Sequence, residues 1–173
     1  FFMSRLDHTI RSVESVEGLG VPVLGVIPHL GTAPSTDAKA EGKRGPKPLT
    51  AARGPGELIV VDEPMSPAAE TFRMIRTNIA FMSEEKPIRS FVVTSAMPLE
   101  GKTTVTSNLA ISLAQFGRSV LLVDSDLRRP RLHRVLEVDN SVGLTTLLAG
   151  HAPSKSAYHR TKVDGLSVLT SGP

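Results

Sequence analysis

Apolar positions along this chain fall into short runs separated by polar and Gly/Pro-rich stretches, and each run has its own period. In "SPAAETFRMIRTNIAFM" (66–82), Phe72, Ile75, Ile79 and Met82 recur at helical spacing. Ser66 is placed to cap and Pro67 suits the first turn, so the pattern predicts a helix from Ser66 to about Met82. That stripe should be buried, with Glu70, Arg73 and Arg76 on the flank beside it. "SFVVTS" (90–95) and "SVLLVDSD" (119–126) read as strands, apolar and β-branched as buried parallel strands are. Thr103 to Phe116 reads as a helix ended by Gly117. "GLTTLLAG" (143–150) reads as a short helix, and "LSVLTSG" (166–172) starts a third strand. Strand, helix, strand, helix, strand predicts an open parallel α/β sheet with helices on both faces.

The chain ahead of residue 58 is patterned differently. "FFMSRLDHTIRSVESVEGLG" should hold a short helix ending near Gly18 or Gly20, and Val21 to Pro28 a strand or a docked extended piece. From Gly31 to Gly56 the large apolar residues give way to Gly, Pro, Ala and Lys, a composition that buries too little surface to repay the entropy of ordering. The expected organisation is a tail at 1–30, a flexible linker at 31–57 and an α/β domain at 58–173. Residues 31–56 carry five basic residues against two acidic ones, a difference that equals the net charge of +3 for the whole chain. The remainder is balanced, so the basic pI is no ground for a nucleic-acid partner. The linker is either a solvated spacer or a contact for anionic lipid headgroups. With no Cys, disulfides and thiolate metal sites are excluded, and the five His lack metal-ligand spacing. No apolar run reaches the length of a membrane helix. A start at Phe1 and a stop at "LTSGP" read as cuts in a longer protein.

Candidate chemistry sits where strand 90–95 meets the helix after it. "AMPLEGKT" (96–103) follows G-x-x-x-x-G-K-[ST] except that Ala96 holds the first position. Such a loop points main-chain N–H groups and a helix N-terminus at phosphates. Ala96, Met97, Pro98, Leu99, Glu100, Gly101, Lys102, Thr103 and Thr104 are therefore the expected nucleotide contacts. Gly101 permits close approach, Lys102 reaches the β- and γ-phosphates, and the Thr103 hydroxyl sits on Mg²⁺. Asp124 and Asp126 follow the next strand at its carboxyl end, where open α/β sheets bind ligands. Residues two apart on a strand face one way, so both acids are expected to point at one spot, with Mg²⁺ between them. The other reading is a pair of acids that merely cap the turn "DLRRPRLH".

Taken together, four stretches resemble the cytoplasmic domain of bacterial tyrosine kinases (BY-kinases), attached to chain-length regulators of capsule and exopolysaccharide export. They are "SAMPLEGKTTVTSNLA", "VLLVDSDLRRPRLH", "SPAAETFRMIRTNI" and "LGVPVLGVIP". The resemblance implies a P-loop NTPase-type fold and a kinase that uses ATP and Mg²⁺ to phosphorylate tyrosines on neighbouring subunits of a ring. It implies catalytic parts for Lys102, Asp124 and Asp126, with Thr103, Asp126 and Asp124 on the metal. Asp124 would orient or deprotonate the tyrosine, and the two acids could exchange roles. Glu70, Arg73 and Arg76 match the family's E-x-x-R-x-x-R subunit-contact helix; from spacing alone they are a charged helix flank. Residues 1–30 would be the juxtamembrane tail of a chain-length determinant at the cytoplasmic face of the inner membrane, anchored by helices outside this sequence. Further implied partners are the polysaccharide polymerase and export machinery and a C-terminal Tyr cluster that this sequence lacks. Tyr158, the single Tyr, is expected in a solvent-facing loop. Two rivals share the loop: a ParA/MinD-type positioning ATPase, whose extra loop lysine is replaced here by Met97, and a nucleotide-binding scaffold without kinase activity.

Overall fold

The structure, a computed structural model, describes residues 10, 12–28, 57–84, 86–151, 153 and 157–173. The linker expected at 31–57 lies almost wholly outside them, as do Phe1 and Phe2. Glu57, the linker's last expected residue, belongs instead to the folded body, where its carbonyl accepts from Asn108.

Helix α1 (Val13–Glu17) is capped by Ser12 and stops before Gly18. The next stretch, 21–28, joins no sheet. It is a docked extended piece: Asn78 Nδ2 donates to Leu24 O at 2.8 Å, and Leu24 and Ile27 pack on the core. Gly25 permits that docking, since a Cβ there would stand 2.7 Å from Ile75 Cγ1. A short turn of helix, α2 (Ile59–Asp62), leads to α3 (Pro67–Met82), whose Ser66 hydroxyl accepts from Ala69 N at 3.2 Å. Phe72 and Ile75 are buried and Ile79 packs on the core, but Met82 is 52% exposed. The stripe thus runs off the core at the last turn.

Helix α4 (Lys102–Gln115) leads through Gly117 to β1 (Val120–Val123). Then come α5 (Leu132–Val135), α6 (Leu144–Leu148), β2 (Tyr158–Arg160) and β3 (Leu166–Leu169). The sheet order is β1-β3-β2. β1 and β3 are parallel, from Val120↔Leu166 to Val123↔Leu169, as a crossover connection through α5 and α6 requires. β2 is antiparallel to β3, so the sheet is mixed and Tyr158 lies in an edge strand rather than a loop.

Two expectations need correction. Residues 90–95 are extended, as their β-branched side chains favour, but they form no ladder, and Val92 is 86% exposed. A strand needs a partner's N–H and C=O groups, and the described residues bring none beside it. Among the described residues, helices also do not cover both faces of the sheet. α4 packs on β1 and β3, α3 packs on α4, and Leu122 points into that core. Leu121 and Val123, which alternate with it, remain exposed.

Phe72 is wholly buried between these layers. Phe72→Ala should cost about 3–5 kcal/mol, read as a lower urea midpoint with an unchanged m-value.

Candidate functional site

The site begins where α4 begins. Gly101 caps the helix in the left-handed region (φ 85), and a Cβ built there would meet nothing within 4 Å. Leu99 also has positive φ, at 66°. A leucine rarely adopts that conformation, so the loop is held there by its own bonds. Those bonds are visible. Met97 N donates to Glu100 Oε2 at 2.8 Å, and Ser95 Oγ donates to Met97 O at 2.9 Å. The Lys102 ammonium donates to Ser95 Oγ at 3.1 Å and to Met97 O at 3.5 Å.

Each of those Lys102 acceptors is a neutral oxygen. A cation held only by dipoles, at the N-terminus of a fourteen-residue helix beside an exposed loop, has the donor chemistry that suits a polyphosphate. Thr103 and Thr104 occupy the first turn of α4, half-buried behind the loop. Among the described residues, no three His, Asp or Glu side chains gather as a ready-made metal cage. A divalent ion here would therefore rest largely on the nucleotide's own oxygens, as Mg²⁺ commonly does.

Asp124 and Asp126 lie past the end of β1, so strand alternation does not aim them, contrary to expectation. Asp124 is buried (5% exposed), and both oxygens of its carboxylate accept main-chain hydrogen bonds. Its Oδ1 accepts from Asp126 N at 3.2 Å, and its Oδ2 accepts from Arg131 N and Leu132 N, both at 3.1 Å. One carboxylate thus ties off the loop 125–131 and the start of α5. Asp126 is exposed, with Oδ1 accepting from Arg129 N at 3.0 Å. His133, on α5, has its imidazole pushed below the ordinary histidine range, first by burial and then by Arg134, with Asp124 pulling the other way.

Asn108, within "SAMPLEGKTTVTSNLA", has no part in the loop motif, yet it is a joint of the site. Wholly buried in α4, its Oδ1 accepts from Val60 N at 3.0 Å and its Nδ2 donates to Glu57 O and Thr104 O, both at 2.8 Å. An Asn among apolar helix residues is the signal that could have found it, because a buried amide demands partners. On α3, Glu70 pairs with Arg73 at 2.8 Å, and Arg73 also donates to Pro64 O at 2.6 Å. Arg76 turns inward instead. It donates to Ser112 O at 3.2 Å, and its guanidinium lies 4.5 Å from the centroid of the Phe116 ring. A cleft of about 500 Å³ lined by Ser119, Tyr158, Arg160 and Gly165 lies at the amino ends of β1 and β3, the opposite end of the sheet from Asp124.

The fold and the loop define a nucleotide-binding domain, and residues 91–149 match the family model of the CobQ/CobB/MinD/ParA nucleotide binding domain. The tyrosine-protein kinase YwqD of Bacillus subtilis (strain 168) is 44% identical over 116 residues, covering 67% of this chain and 49% of the relative. The kinase domain of Escherichia coli tyrosine kinase ETK matches with a TM-score of 0.76 at 30% identity, over 95% of this chain and 61% of that one. The chimerical protein CapA2B2 matches at 0.72 and 34% identity, over 94% and 61%. The chain is a homologue of the bacterial tyrosine-protein kinases. It spans about half the length of the curated relatives it matches.

Removing the Asp124 carboxylate leaves three main-chain donors without their acceptor. Asp124→Ala should destabilise the fold by about 2–4 kcal/mol. Amide exchange at Arg131 and Leu132 should rise before global unfolding does.

Proposed function

We propose that this chain forms the nucleotide-binding part of an ATP-dependent protein-tyrosine autokinase that regulates capsule or exopolysaccharide chain length and export. The observation that carries the reading is the Lys102 ammonium, held by neutral oxygens at the mouth of an exposed loop and helix N-terminus. The naming of YwqD and ETK as tyrosine kinases supports it.

When bound, Mg·ATP supplies the transferable phosphoryl group and a divalent charge. The part of the protein is positioning and charge stabilisation, because phosphoryl transfer asks little covalent chemistry of it. Main-chain N–H groups between Ala96 and Thr104, apart from Pro98, which has none, and Met97, which donates to Glu100, orient the phosphates, and Lys102 neutralises their developing charge. Thr103 and Asp126 are the metal-side ligands: one is a hydroxyl on the first turn, the other an exposed carboxylate on the adjoining loop. Asp124 is a fixed anion beside them. Its place is to hold that loop and to orient the tyrosine hydroxyl, with a share in the metal if the two acids exchange roles.

Residues 66–82 support self-association into a ring in which one subunit phosphorylates the Tyr cluster of the next. Glu70 is the outward-facing member, with its side chain 71% exposed, whereas Arg76 also braces α3 against α4. Residues 1–30 form the juxtamembrane tail, 31–57 the linker and 58–173 the start of the kinase domain. The assembly sits at the cytoplasmic face of the inner membrane with the polymerase and export machinery. No described helix is long and apolar enough to cross a membrane.

A positioning ATPase is the second reading, favoured by the MinD/ParA description of the matched family. Incubation with ATP separates the two, giving phosphotyrosine for a kinase and only released phosphate for an ATPase. Lys102→Met in the full-length protein should lower tyrosine phosphorylation by about two orders of magnitude or more; retention of most activity would refute the assignment. Replacing Arg73 and Arg76 together with Ala should collapse the oligomer to monomers in light scattering.

A further inference from the structure

Residues Glu57–Val60 touch both parts of the nucleotide site. On one side, Asn108 takes the Val60 N–H and the Glu57 carbonyl with a single buried amide, while its Nδ2 also reaches Thr104 O in the first turn of α4. On the other, the Glu57 carboxylate pairs with the Arg131 guanidinium. The main-chain N–H of Arg131 in turn donates to Asp124 Oδ2 at 3.1 Å. Glu57 therefore bonds at once to the helix that starts at Lys102, through its carbonyl, and to Arg131 at the end of the loop that carries Asp126, through its carboxylate.

The two attachments differ in kind. The Asn108 amide is wholly buried and Leu58, Ile59 and Val60 are buried with it, so that end is fixed. The Glu57–Arg131 pair is more open, with 18% of the Glu57 side chain and 49% of the Arg131 side chain exposed. A pair of that exposure adds little to global stability. Its effect is local: it fixes where Arg131 stands, and through the Arg131 N–H it fixes the Asp124 carboxylate.

We propose that Glu57 is a positioning residue. Acting through Arg131, it sets the Asp124–Asp126 loop relative to Lys102 and Thr103, and so tunes the divalent-metal requirement of the nucleotide site. This deepens the function proposed above and rests on it.

The test uses the full chain with Glu57→Gln, with Arg131→Gln, and with the pair exchanged as Glu57→Arg plus Arg131→Glu. Calorimetry measures ATP binding with and without Mg²⁺, and hydrogen exchange follows Leu132 N–H, the other donor to Asp124 Oδ2. Either single variant should raise the Mg²⁺ concentration for half-maximal ATP binding about three- to tenfold. Metal-free ATP binding and the unfolding midpoint should stay unchanged, Leu132 should exchange faster, and the exchanged pair should restore both readouts. An unaltered Mg²⁺ requirement in both single variants overturns the proposal. So does equal weakening of metal-free and metal-dependent binding, which would mark a general structural defect. Wild-type chain that takes up no Mg·ATP overturns the parent reading and this one with it. That failure is distinguishable because it shows before any substitution is made.

Discussion

Helix α4 has no side it can turn to water through its middle, and that constraint governs the molecule. Ser107 through Ser112 are all buried, six consecutive residues that cover the full circumference of the helix. α3 takes one side, β1 and β3 another, and α2 and α5 close the remainder. A helix enclosed all round can neither rotate nor slide without opening the core. Its first residue, Lys102, is therefore placed by the whole domain, while Ser95 and Met97 of the loop hold its ammonium. Two of the three polar residues in that enclosed stretch fit the same logic, while the buried Ser107 hydroxyl finds no hydrogen-bond partner among the described residues. Asn108 and Ser112 spend their hydrogen bonds on Glu57, Val60 and Arg76, so polar groups inside the core become its joints.

The loop beyond β1 follows the same economy. A buried carboxylate must be paired or hydrogen-bonded, and Asp124 satisfies that need entirely from main-chain N–H groups of its own loop. The result is a rigid turn that leaves Asp126 in the open. Two acids alike on paper, two residues apart, thus acquire different duties from burial alone.

Features set by local chemistry were legible from the amino-acid order. Ser66-Pro67 marks the start of α3, Gly101-Lys102 the start of α4, and Gly117 its end, because caps and left-handed turns are short-range requirements. The P-loop was legible for the same reason. Features set by partners distant in sequence were not. "SFVVTS" has the composition of a strand, but pairing depends on what lies beside it, and the described residues bring nothing there. β2 is three residues, Tyr-His-Arg, without an apolar run, and is a strand only because β3 presents an edge to it. The capping use of Asp124 was named as one of two readings, and only the positions of Arg131 and Leu132 reveal the donors it takes. The resemblance to bacterial tyrosine kinases reached further than periodicity did, since four matched stretches lie on elements that the relatives share.

The contacts of Lys102 have a kinetic meaning. Many buried or half-buried ammonium groups are locked to a carboxylate, and an arriving anion must first break that bond. Here the ammonium leans on a hydroxyl and a carbonyl, and either is surrendered easily to a stronger acceptor. Capture of an anion by this loop then demands no prior rupture of opposite charges.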